Sequence, residues 1–183
     1  MLRQTLATLA LVFLSACTQT LATAPAQESP SSAAPAPSAP APDLLGKMTG
    51  RWTLTGQIAG QNTVHDVEAD WVLQESYVRI TEVSRERDAS GKPAYEAIVL
   101  IGWLKDHYVC FWFDNTEVAS GDVTCRAPLT GDSIALEFRD GQGALIFTNT
   151  FAYRRAEDAW TWRMVGSENG QDALFGDVTL RRK

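Results

Sequence analysis

Ile134-Ala135-Leu136-Glu137-Phe138-Arg139 alternates apolar with small or charged residues at a period of two, and Trp160-Thr161-Trp162-Arg163-Met164-Val165 repeats the pattern further on. Successive side chains of a strand point to opposite faces, so Ile134, Leu136 and Phe138 share one face and Trp160, Trp162 and Met164 share another. Neither run carries the 3.6-residue period of a helix. Outward from these runs, β-branched and aromatic stretches recur from Gly50 onward. Turn-forming residues separate them, among them Ala59-Gly60-Gln61-Asn62, Ala89-Ser90-Gly91-Lys92-Pro93, Lys105-Asp106, Asp114-Asn115, Thr130-Gly131-Asp132, Asp140-Gly141-Gln142-Gly143, Glu157-Asp158 and Glu168-Asn169-Gly170.

The expected fold is all-β: a single antiparallel barrel of about ten strands, each joined to the next by a short turn. A closed barrel leaves no free edges, and a two-sheet sandwich is the competing solution. Only Asp43 to Met48 offers a short helical turn, with Asp43 after Pro42 as a cap. Tyr108-Val109-Cys110-Phe111-Trp112-Phe113 is apolar on both faces, which predicts the most buried strand, its outer side covered by a loop, the short helix or a partner.

The N-terminus carries an address. Arg3 forms a charged start, Leu6 to Leu14 an apolar run, and Leu14-Ser15-Ala16-Cys17 closes it. That closing stretch resembles the lipobox of bacterial lipoproteins, which implies removal of residues 1–16. Cys17 would then anchor the protein through diacylglycerol and acyl chains such as palmitate. The run is too short to span a bilayer, which takes about 20 apolar residues. Thr18 follows the cysteine in place of the Asp that the same resemblance associates with inner-membrane retention, so the expected location is the outer membrane, facing the periplasm. From Ala22 the composition is Ala, Pro and Ser, and Pro25, Pro30, Pro35, Pro37, Pro40 and Pro42 are six of the eight prolines. Residues 17–42 therefore read as acylated cysteine plus disordered tether, and the stretch from Ala22 to Pro42 alone has a polyproline II reach of roughly 65 Å at about 3.1 Å per residue. Residues 43–183 make one domain with apolar content for its own core.

Charge narrows the partners. Lys and Arg number 16 against 22 Asp and Glu, a net charge of −6 that is one more negative without Arg3. Such a surface repels phosphate, so nucleic acid is not an expected partner and the lipid, not charge, would hold the protein at the membrane. Of three cysteines, acylation of Cys17 leaves Cys110 and Cys125 as an even pair, either a disulfide in an oxidising compartment or two buried thiols. In a hairpin pairing, Cys110 opposite Cys125 puts Trp112 opposite Val123.

Gly50-Arg51-Trp52, at the start of the first strand after a helical turn, is similar to the Gly-x-Trp signature of lipocalins and their calycin relatives. With Trp71 to Ile80, Tyr95 to Trp103 and Tyr108 to Asp114 in order behind it, residues 43–183 resemble a bacterial lipocalin-like family of domains of unknown function. The resemblance implies that Gly50 and Trp52 are structural and that Arg181 or Arg182 packs across the Trp52 ring. Haem-carrying barrels of the nitrobindin type use a C-terminal His as iron ligand, and nothing after His107 is a His.

No cofactor, metal or catalytic set is expected. His65 and His107 sit in or beside predicted turns next to Asp66 and Asp106, consistent with solvated loops, and no phosphate loop or Gly-x-Ser-x-Gly elbow occurs. The six tryptophans and numerous Phe and Tyr are bulky enough either to fill a barrel or to line a cavity for a small hydrophobic or aromatic ligand. Ligand-binding candidates are Trp71, Trp112, Phe147, Asn149, Trp162 and, if the Trp160 face turns outward, Arg163. Asn149 shares parity with Phe147 and Phe151, which aims an amide at the apolar side. Three readings follow: a lipid-anchored ligand carrier, a structural or protein-interaction module of the envelope, and an enzyme of unknown class. The address is testable alone: the wild-type protein should fractionate with membranes, and Cys17→Ser should be released or left unprocessed. A soluble wild type with an unmodified N-terminus would overturn it.

Overall fold

The computed structural model describes residues 43–116, 123–168 and 170–183; the leader, Cys17 and the tether lie outside the described residues. One short helix, α1 (Asp43–Met48), precedes ten strands: β1 (Gly50–Ile58), β2 (Gln61–Val72), β3 (Tyr77–Ser84), β4 (Glu96–Leu104), β5 (His107–Asp114), β6 (Thr124–Pro128), β7 (Ser133–Arg139), β8 (Leu145–Arg154), β9 (Ala159–Glu168) and β10 (Gln171–Arg182). Each strand pairs antiparallel with its chain neighbours and β10 returns to β1, closing the barrel. Among the described residues, every closure and core contact is made from Asp43 onward, so a chain beginning there contains every contact described.

The closing seam runs in register from Trp52↔Arg182 to Ile58↔Gly176. Arg182, not Arg181, lies over the Trp52 ring, with its guanidinium carbon 4.0 Å from the ring centroid. Arg181 points outward toward Glu157, 3.6 Å away. Gly50 has φ 120°, and a Cβ there would run into Arg182 Nη1, so the Gly-x-Trp spacing serves this packing. Inside the same end, α1 buries Leu44, Leu45 and Met48. The indole N–H groups of Trp52 and Trp160 donate to the carbonyls of Met48 (2.8 Å) and Lys47 (3.3 Å). Two tryptophans thus satisfy helix-end carbonyls that would otherwise be buried without partners.

The alternation expected of β7 and β9 holds, with Ile134, Leu136, Trp160, Trp162 and Met164 all buried. Two expectations change. No turn was expected between Trp71 and Ile80, yet the chain reverses at Leu73-Gln74-Glu75, three non-glycine residues at φ 52°, 56° and 61°. Side-chain sterics disfavour this backbone by about 1–2 kcal/mol per residue, and the ladders of β2 and β3 on either side hold it. The outer side of β5 is not covered among the described residues: Phe111 and Phe113 are each 50% exposed. They shield themselves partly against the facing residues Leu100 and Ile98 of β4, and Phe111 against the Tyr77 ring at 6.2 Å.

Cys110 and Cys125 form a disulfide, with Cα atoms 5.3 Å apart. The β5–β6 ladder pairs only His107, Tyr108 and Val109 with Pro128, Ala127 and Arg126. The next position in that register is Cys110 facing Cys125, so the covalent bond takes over where the hydrogen bonds stop. Across a separation of 15 residues, chain-entropy arguments give about 3 kcal/mol. The Cys110→Ala/Cys125→Ala protein should lose about that much in urea unfolding, and reductant should destabilise only the wild type. A loss below about 0.5 kcal/mol would show the seam does not depend on the bond.

Candidate functional site

The α1 end is filled, leaving a void of about 20 Å³ beside Trp52, Trp160 and Trp162, room for roughly one water. The opposite end, framed by the β1–β2, β3–β4, β7–β8 and β9–β10 turns, opens into a cavity of about 1030 Å³. That is the size of a site for a small organic molecule.

Its two walls differ in chemistry. The wall from β7 to β10 presents Phe138, Phe147, Trp162, Met164 and Phe175. Ring contacts run Phe138–Phe147 at 6.3 Å, Phe147–Phe175 at 5.6 Å and Phe151–Trp162 at 4.7 Å. Trp112 of β5 joins this set, 5.7 Å from Trp162 and 5.9 Å from Phe138. Asn149 is buried within it, and its Oδ1 accepts from Trp162 Nε1 at 2.8 Å. An indole N–H can only donate, which fixes the amide's orientation and leaves Nδ2 as a donor.

The wall from β2 to β5 is polar. His65 and Glu82 are 4% and 1% exposed, with His65 Nδ1 2.5 Å from Glu82 Oε1 and Nε2 2.7 Å from Thr63 Oγ1. Thr63 Oγ1 donates to Glu86 Oε2 at 3.2 Å, and Ser84 Oγ donates to the same oxygen at 2.5 Å. With the proton on either side of the Glu82–His65 contact, His65 Nε2 can donate to Thr63 and Thr63 to Glu86, so the groups form one continuous relay. Burial pushes the Glu82 carboxyl up against the pull of His65, while the Ser84 hydroxyl leads the donors that hold Glu86 down. Beside them Tyr95 stacks on His65 at 5.7 Å, its hydroxyl accepting from Trp112 Nε1 (3.4 Å) and donating to Asp114 Oδ2 (3.5 Å). Burial foremost, then the Glu82 charge, push the Tyr95 phenol up.

Hydroxyl, imidazole and carboxylate in series resemble a nucleophile–base–acid order. Here Glu86 and Asp114 stand on the same wall and no Lys or Arg is among the described lining residues, so the surroundings oppose an oxyanion instead of stabilising it. Among the described residues no group of three His, Cys, Asp or Glu side chains could hold a metal.

Of the residues expected at a ligand site, Trp112, Phe147, Asn149 and Trp162 meet in the cavity. Trp71 does not: it lies at the α1 end of β2, packed against the core. Arg163 does not either; the Trp160 face turns inward, so Arg163 is exposed and faces Asp177 at 3.6 Å. His65 is the larger correction. β2 begins at Gln61 and runs to Val72, so His65 sits inside a strand facing the cavity, while Asp66 faces out to Arg85 and Lys183 at 2.6 Å each. The readable signal was parity: His65 with Val67 and Ala69, Glu82 and Ser84 with Val78 and Ile80.

Scanned against models of known protein families the chain matches none, and a search of curated proteins finds no significant match.

Glu82 gives a pH test. Its carboxyl is raised above the ordinary 4.5, so the stability its proton confers is complete below that value and is lost as pH rises through the raised one. Against the non-titrating Glu82→Gln, wild type should lose up to about 1.4 kcal/mol per pH unit across that window. Urea midpoints from about pH 4.5 to 8 measure this; parallel curves would refute burial as the cause.

Proposed function

We propose that the protein is a lipid-anchored envelope carrier or sensor that holds a small hydrophobic or aromatic molecule in its barrel. One observation carries the reading: an open cavity of about 1030 Å³ with a continuous aromatic wall, where a barrel built only for stability would be filled. Partially polar cavities with apolar walls are how proteins bury most of a small ligand and still orient it. The lipobox-like Leu14-Ser15-Ala16-Cys17 and the Pro-rich stretch supply the anchor and tether of this proposal, and Thr18 the outer-membrane address. The similarity of Gly50-Arg51-Trp52 to the lipocalin signature agrees with it, since the arginine clasp that the resemblance implies is present as Arg182 on Trp52.

A second reading, a protein-interaction module, has its own observation: Ile98, Phe111 and Phe113 leave a strip of half-exposed apolar side chains on the outside of β4 and β5. The unfilled interior favours the carrier. Trp112 and Trp162 lie in the cavity wall, so residues 43–183 should show saturable changes in tryptophan fluorescence with a member of a panel of quinones, aromatic metabolites and alkyl or aryl amines, acids and alcohols. No binding below about 1 mM, roughly −4 kcal/mol, would leave the interaction module as the better reading.

A further inference from the structure

The cavity's charge distribution specifies more than its size. Three carboxyl groups, those of Glu82, Glu86 and Asp114, lie among the described lining residues, and no Lys or Arg does. Oε1 of Glu82, on a side chain only 2% exposed, is engaged by His65. Opposite Glu82, since β3 and β8 stand five places apart in the ring of ten, Asn149 closes an aromatic wall of Phe138, Phe147 and Trp162. A molecule filling the cavity therefore meets acceptors and negative charge on one side and ring faces on the other. Ring faces also attract cations.

We propose that the ligand is an organic amine: a protonated nitrogen seated against the Glu82, Glu86 and Asp114 wall, with an aromatic or branched apolar body against Phe138, Phe147 and Trp162. The inference rests on the carrier reading and adds the sign of the ligand's charge. Fatty acids and other apolar carboxylates are disfavoured, because their anionic heads would enter beside Glu86 and Asp114 with no basic side chain among the described lining residues to receive them. Neutral alcohols fall between, able to donate one hydrogen bond to Glu82 but not to balance charge.

Three matched probes test this on residues 43–183 by titration calorimetry at pH 7: 2-(1-naphthyl)ethylamine, 2-(1-naphthyl)ethanol and 1-naphthylacetate. The amine should bind at least about tenfold more tightly than the acetate, a difference of about 1.4 kcal/mol, with the alcohol between. Glu86→Gln at the rim should narrow the ratio severalfold, and the double variant Glu86→Gln/Asp114→Asn should narrow it further. Glu137→Gln, an outer-face carboxylate paired with Arg139, removes the same formal charge and should leave the ratio unchanged. Equal binding of all three probes, tighter binding of the acetate, or a ratio indifferent to Glu86 and Asp114 overturns the amine while leaving the carrier intact. Failure of all three, with no other panel member binding, overturns the carrier and this inference with it.

Discussion

A barrel of ten strands is a sheet until its last strand finds its first, and Arg182 is where that happens. Its guanidinium covers the face of Trp52, Nη1 donates to the Thr49 carbonyl at 2.8 Å, and Nε donates to Asp158 Oδ2 at 2.5 Å. One side chain from the end of β10 thereby ties the entry to β1 and the β8–β9 turn to itself. The guanidinium is partly exposed, so its ion pair with Asp158 contributes little on its own; its value is positional, since the flat group fits the ring and fixes register. Gly50 leaves the space. Gly56, on the same seam, has φ 152° and lets Val178 approach where a Cβ would strike the β10 backbone. The plug of α1, Trp52 and Trp160 then seals the end beneath, and the side chains that fill it are not needed at the other end.

Ring closure also explains why the cavity has two chemistries. In a meander closed on itself, β2 to β5 face β7 to β10 across the interior, so any bias of polar residues toward the first half of the chain becomes a polar wall opposite an apolar one. Glu82 and His65 are expensive there. A buried carboxyl and imidazole must be hydrogen-bonded to be tolerated, and well-packed apolar residues of the same volume are often as stable or more so. The relay from Glu82 through His65 and Thr63 to Glu86 gives each buried group a partner and ends on a carboxylate at the rim, which limits the cost without removing it. Costly groups maintained in an unfilled space are a feature of sites more than of cores.

The fold was legible because its signals are local. Alternation in β7 and β9, glycine and asparagine at the turns, and proline ending before α1 each act within a few residues. The reversal at Leu73-Gln74-Glu75 escaped because none of the three is a turn former; the ladders on either side impose positive φ on ordinary residues. The site was half legible. Trp112, Phe147, Asn149 and Trp162 stood out as large or incongruous side chains, and all four line the cavity. Arg163 and Asn149 could not be sorted from the alternation alone, because period two says which residues share a face and not which face is inside. His65 was hidden by its neighbour: a His-Asp pair close to a turn reads as solvated, yet the hairpin is so tight that β2 starts at Gln61 and sends His65 in and Asp66 out. Glu82 and Ser84 are invisible for the complementary reason, since polar residues at a strand end suggest fraying, and only the opposite wall makes them an interior.

The weakest part of the wall ties the cavity to the compartment. Beyond Val109↔Arg126 the described ladder between β5 and β6 ends, and Cys110 and Cys125 both line the cavity at that point. Elsewhere among the described residues the strands are joined by backbone hydrogen bonds, indifferent to redox conditions; here the wall depends on a bond that persists only where thiols are oxidised. Along β5, Cys110, Trp112 and Asp114 alternate with the half-exposed Phe111 and Phe113, and all five border the cavity. A seam that parted would therefore free the residues joining the aromatic wall to the polar one. Oxidising conditions hold this seam, and under reducing conditions the chain would have the fold's closure at Arg182 without the staple that completes the cavity wall.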